Sequence, residues 1–130
     1  LKPESITAPE APAPVGPYSQ AVRTGCLVFV SGQLGMDPST GRLVEGVEAQ
    51  ASRALENIRA ILAVAGCGME RIVKTTILLA DMSDFASVNS VYSGFFVRPF
   101  PARAAFAVAG LPLGARVEIE AVASLEGNGS

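Results

Sequence analysis

The stretch from Arg71 to Ala80 limits the possible folds more than any other part of the chain. Val73, Thr75, Ile77 and Leu79 alternate with Ile72, Thr76, Leu78 and Ala80, so a strand here is β-branched and largely apolar on both faces. Such a strand belongs in the middle of a sheet, covered on both sides. The flanking sequence supplies helices for one side. From Val47 to Ala65 apolar residues recur at spacings of three and four (Val47, Ala51, Ala54, Leu55, Ile58, Ile61, Leu62, Ala65), with Gly66 as the stop. After the strand, Asp81 or Ser83 is placed to cap a second helix with Phe85, Val88, Val91, Tyr92 and Phe95 on one stripe, which Pro99 and Pro101 end.

Further β-rich runs complete the pattern. Cys26 to Val30 ends at Ser31-Gly32, and Asp37-Pro38-Ser39-Thr40-Gly41 has the turn chemistry for an antiparallel return. Arg103 to Ala109 and Arg116 to Leu125 are joined by Leu111-Pro112-Leu113-Gly114. The order is two or three strands, helix, strand, helix, two strands, which predicts an α+β domain with one mixed sheet and both helices on one face. Ala8 to Pro17 holds four prolines. Residues 1–15 are therefore expected as an extended, weakly ordered Pro/Ala-rich lead-in, with the fold starting near Tyr18, residues 16–125 as a single domain and 126–130 as a flexible tail.

Helices on one face leave the other bare, and here composition matters. Hydrophobic residues make up 49% of the 130 and charged ones only 17%, against a usual charged share of ~25%. A chain of this size has one core, so the apolar surplus points to further copies of the chain covering the bare face in a closed symmetric oligomer.

Composition also excludes chemistry. The chain has no histidine, which removes the commonest general base, the commonest metal ligand and every Ser-His-Asp or Cys-His arrangement. Cys26 and Cys67 lie far apart and form no CxxC pair, so the expectation is no metal and two reduced thiols packed as small hydrophobes. The basic residues are scattered from Lys2 to Arg116 without a run, and the aromatic residues do not interleave with them, which argues against a nucleic-acid partner. Residues 1–15 hold no apolar run of signal-peptide length and no segment is long enough to span a membrane; a cytoplasmic protein is expected, with a mitochondrial pool after processing as the alternative. Gly32, Gly35 and Gly41 make no phosphate-binding spacing.

Chemistry has few places left to sit. Arg103 opens a strand that is otherwise apolar, and its planar fork suits a carboxylate, either of a ligand or of one of the chain's own acidic residues. Glu118 and Glu120 alternate with Val117, Ile119 and Ala121, so both carboxylates share one face of the last strand, either solvated or lining a cleft. Without histidine, a glutamate with a raised pKa is the plausible base for activating water. Gly16-Pro17 fixes a turn that projects Tyr18. Ser31-Gly32-Gln33 either ends a strand with an unpaired N–H and a hydroxyl facing a ligand, or is a plain turn. Asn89 lies among apolar helix neighbours and needs a partner if buried.

Taken together, Gly16-Pro17-Tyr18-Ser19-Gln20, Val30-Ser31-Gly32-Gln33, Val73-Lys74-Thr75-Thr76, Phe85 to Asn89, Pro101-Ala102-Arg103 and Glu118-Ile119-Glu120-Ala121 resemble the RidA (YjgF) family, over about Ala11 to Ala123. The resemblance implies a chorismate-mutase-like fold assembled as a homotrimer, with sites in clefts between subunits. It implies cofactor-free deamination of reactive enamines and imines, such as 2-aminoacrylate and 2-aminocrotonate, to 2-oxo acids and ammonia. Arg103 would bind the substrate carboxylate and Glu118 would orient and deprotonate water. Tyr18, Ser31, Gly32 and Asn89 would complete the pocket with Ala105, which stands where the family often has a cysteine. Two other readings remain: an RNA-cleaving translation inhibitor, a label some members carry, and a non-catalytic ligand-binding or holdase-like trimer.

Overall fold

The strand at 71–80 does lie inside a sheet. A computed structural model describes residues 2–125, and the tail expected at 126–130 lies outside the described residues. The strands are β1 (Glu4–Ile6), β2 (Ala21–Thr24), β3 (Leu27–Leu34), β4 (Met36–Asp37), β5 (Arg42–Leu43), β6 (Ile72–Leu79), β7 (Ala102–Ala107) and β8 (Val117–Ser124); the helices are α1 (Val47–Ala65) and α2 (Phe85–Ser93). Six strands form one mixed sheet in the order β1-β2-β3-β8-β6-β7, in which only the β6–β7 pair is parallel. β4 and β5 make a separate two-stranded ribbon.

α1 has the limits its periodicity predicts. Gly66 takes the left-handed conformation at φ 93°, which costs glycine little, and backbone N–H groups of Gly66 and Cys67 donate to the Ala63 and Leu62 carbonyls. Leu55, Ile58, Ile61 and Leu62 are fully buried, and they pack in one core with Val28, Ile77, Leu79, Val117 and Ile119 of the sheet. α2 lies beside α1 and adds Val88 and Tyr92 to that core. Both helices thus cover one face, as expected. On the other face Leu27, Phe29 and Phe106 stand exposed. No helix among the described residues is long and apolar enough to cross a membrane.

Four expectations need correcting. The lead-in is not weakly ordered: β1 pairs with β2, and the buried Gln20 side chain bonds the backbone of Ala8, Ala11 and Pro12. One glutamine satisfies backbone groups that the prolines leave without helix or sheet partners. β3 does not stop at Ser31-Gly32 but runs to Leu34 through a bulge between Val30 and Gln33; its hairpin partner is β2, through Gly25 at φ 58°, while the Asp37–Gly41 turn closes only the short ribbon. A second bulge, between Ile72 and Lys74, turns Ile72 into the core and leaves Val73 exposed, against the simple alternation. Finally, α2 ends at Ser93, before Phe95; Asp81 caps the 3-10 turn ahead of it by accepting from the Ser83 N–H.

Candidate functional site

The bulge in β3 and the alternation of β8 build one group of residues. Val117 and Ile119 face the core, so Glu118 and Glu120 project from the sheet's open face. The extra residue in β3 sets Gly32 beside Glu118. A Cβ on Gly32 would fall 2.0 Å from Glu118 Oε2, so the missing side chain is what makes room for the carboxylate. Burial, helped by the neighbouring Glu120 carboxylate, raises the Glu118 pKa above the usual range. A cavity of about 630 Å³ opens here, lined by Tyr18, Ser31, Gly32, Glu118, Glu120 and Leu113 among others. Leu113 is the one described non-glycine residue at positive φ (59°) and leans an exposed apolar side chain into this cavity.

Ser31 differs from the expectation of a free N–H. Its N–H donates to the Gln20 carbonyl at 2.9 Å and its hydroxyl donates to the Ser19 carbonyl at 2.6 Å, which leaves the hydroxyl oxygen's lone pairs to face the cavity. Tyr18 is half exposed at the turn after Gly16, and its hydroxyl lies 3.5 Å from the Val15 N–H.

Arg103 belongs to a second group. β7 pairs in parallel with β6 so that Arg103 stands opposite Thr75, whose side chain is buried under the helices. Arg103 therefore points to the helix face, where Asn89 Oδ1 accepts from its Nη1 at 2.6 Å. The guanidinium carbon lies 5.0 Å from the centre of the Tyr92 ring and 5.5 Å from that of Phe85. Asn89, Tyr92, Phe100, Pro101 and Arg103 line a cavity of about 450 Å³. Among the described residues no carboxylate of the same chain pairs with Arg103. Ala105, two residues on along the same face, packs against the core and lines neither cavity.

One chain thus carries two groups of candidate residues on opposite faces of the sheet. Glu118, Tyr18, Ser31 and Gly32 lie on the open side; Arg103 and Asn89 lie at the β7 edge under α2. Phe85 and Tyr92, which flank Arg103, were not singled out as site residues from the sequence. Their signal was present: 85, 89 and 92 are spaced by four and three, which stacks all three on one helix face. Among the described residues no group of three Cys, Asp or Glu side chains is gathered to hold a metal ion.

The chain is similar over most of its length to proteins of known type. The bovine 2-iminobutanoate/2-iminopropanoate deaminase is 56% identical over 119 residues, 91% of this chain and 87% of that protein. Among solved structures, RidA from the Antarctic bacterium Psychrobacter sp. superposes with a TM-score of 0.91 at 49% identity, covering 93% of this chain and 98% of that one. Escherichia coli TdcF with bound serine gives a TM-score of 0.90 at 40% identity, covering 93% and 98%. A family model described as Endoribonuclease L-PSP matches residues 8–125, and with that match and these relatives the chain belongs to the RidA (YjgF) family.

Proposed function

We propose that the chain hydrolyses small 2-imino acids, formed from 2-aminoacrylate and 2-aminocrotonate, to 2-oxo acids and ammonia without a cofactor. The observation that carries this reading is Glu118: a carboxylate set over a glycine in a cavity that it shares with Glu120, and of raised pKa. The names of the relatives support it, as does a serine in TdcF, since serine has the α-carboxylate and α-nitrogen of such substrates.

The chemistry asks little of the protein. An enamine tautomerises to the imine, whose carbon is strongly electrophilic once the nitrogen is protonated. Ionised Glu118 takes a proton from water as the oxygen adds to that carbon, giving a carbinolamine. Glu118 then passes that proton to the nitrogen and, ionised again, takes the hydroxyl proton as the C=O forms and ammonia leaves. Arg103 holds the substrate carboxylate through bidentate hydrogen bonds, and Tyr18, Ser31, Gly32 and Asn89 shape the pocket, to which Ala105, packed against the core, adds nothing within one chain. Such substrates hydrolyse unaided, so general-base help of ~10²–10⁴-fold suffices.

Their lying on opposite faces of one chain supports a reading in which Arg103 and Glu118 meet between copies. The reading is therefore of a homotrimer with three clefts, Arg103 coming from one copy and Glu118 from the next; the exposed Leu27, Phe29 and Phe106 supply apolar surface for the contact. Two unpaired cysteines suit a reducing, cytoplasmic setting. RNA cleavage is disfavoured by the absence of histidine and a sequence pI near 5.1.

The test is a coupled assay in which a serine dehydratase generates 2-aminoacrylate and its loss is followed with wild type, Arg103→Ala and Glu118→Gln. Faster loss with wild type alone supports the reading. No acceleration by pure, oligomeric wild type overturns it in favour of a ligand-binding module.

A further inference from the structure

The deamination chemistry leaves the aromatic surroundings of Arg103 unused. Tyr92 is 4% exposed, and its hydroxyl lies 2.7 Å from Thr75 Oγ1, itself buried and directly opposite Arg103 in the β6–β7 register. The Tyr92 ring also packs 4.6 Å from Phe96. Tyr92 is thus held from behind by β6 and from the side by Phe96, and offers its face to the guanidinium. Phe85, one helical turn before Asn89, presents a second ring. With Asn89 holding Nη1, the cation is constrained by two rings and one amide, while Nη2 and Nε have no acceptor among the described residues.

We propose that Tyr92 and Phe85, anchored through Thr75, are positioning residues that pre-orient the Arg103 fork for a substrate carboxylate. This rests on the reading of Arg103 as the carboxylate-binding residue. An arginine on an exposed edge strand is otherwise free to adopt many rotamers, and fixing it beforehand lowers what binding must spend on ordering it. The rings act on the cation electrostatically without neutralising it, which an aspartate or glutamate in their place would do. The arrangement keeps the positive charge available and its plane fixed.

The experiment measures kcat and KM for imine hydrolysis in Phe85→Leu, Tyr92→Leu and Tyr92→Phe, with oligomeric state checked by light scattering. Because Arg103→Ala is expected to be inactive, that background is read by the calorimetric Kd for 2-oxobutanoate, a product that keeps the carboxylate. Exposed cation–ring contacts predict a rise in KM and in this Kd of about two- to fivefold per ring lost, with kcat nearly unchanged. Tyr92→Phe keeps the ring and should retain most of the affinity. In the Arg103→Ala background Phe85→Leu should weaken binding no further, which a general packing role would not reproduce. Phe85 is only half-buried, so it keeps the test open if the Tyr92→Leu variant fails to fold. A weakened Kd in Arg103→Ala with wild-type KM and Kd in folded Phe85→Leu overturns the clamp alone. An unchanged Kd in Arg103→Ala overturns the carboxylate reading beneath it, and the clamp with it.

Discussion

Gly32→Ala separates the geometry of Glu118 from the stability of the sheet. The new Cβ would lie 2.0 Å from Glu118 Oε2, 2.8 Å from Cδ and 3.1 Å from Cγ. All three atoms belong to one flexible side chain, so the carboxylate yields and the backbone need not. Gly32 is not among the positive-φ glycines, so alanine adds no backbone strain there. The oxygen must retreat by about 1.4 Å to regain an ordinary contact of 3.4 Å. Misplacing a catalytic group by ~1 Å costs about 10²-fold, close to 2.7 kcal/mol of barrier. We therefore expect kcat/KM for in situ 2-aminoacrylate to fall about 10²-fold while the urea midpoint shifts by less than about 1 kcal/mol equivalent. Gly35→Ala is the control. Its Cβ would meet the Gln50 Cα at 2.3 Å and the Gln50 carbonyl oxygen at 2.5 Å, which are backbone atoms of α1 that no rotamer change moves. That variant should lose ~1–3 kcal/mol of stability or more, with near-normal activity per folded molecule. Wild-type activity in folded Gly32→Ala refutes the reasoning.

Other outcomes follow from the same contacts. The raised Glu118 pKa means the folded state holds that proton more tightly than the unfolded state. Its contribution to stability is complete below the unfolded carboxyl pKa and is lost as pH rises through the folded value. Glu118→Gln should therefore raise Tm at neutral pH and change it least at acid pH, while kcat falls ~10²–10⁴-fold; an unchanged Tm at neutral pH contradicts the assigned burial. Gln20→Ala strips the partners of the Ala8, Ala11 and Pro12 backbone, and should cost about 1–3 kcal/mol in urea unfolding and speed amide exchange at Ala8.

What the sequence disclosed, and what it withheld, divides along physical lines. α1 was legible because its spacing of three and four persists over five turns and ends at a left-handed glycine. The alternation of Glu118 and Glu120 with core residues was legible for the same reason, a period that composition carries. The bulges at Ser31-Gly32 and Val73 were not, since an inserted residue leaves no mark until the partner strand fixes the register. Nor was the separation of Arg103 from Glu118, which depends on how β7 and β8 each pair with β6. The lead-in misled because proline content reports backbone freedom and says nothing of a distant glutamine that gathers the carbonyls.

The most direct test of the account is complementation between two inactive variants. Arg103→Ala and Glu118→Gln chains are co-expressed, purified as mixed oligomers by two tags, and assayed for loss of 2-aminoacrylate beside each variant alone. In a closed trimer with each site shared head-to-tail, every mixed oligomer, two-to-one or one-to-two, holds one cleft in three with both wild-type residues, about a third of the total. Recovery toward that fraction, from near zero in each parent, is the predicted result; mixed oligomers as inactive as their parents would contradict it.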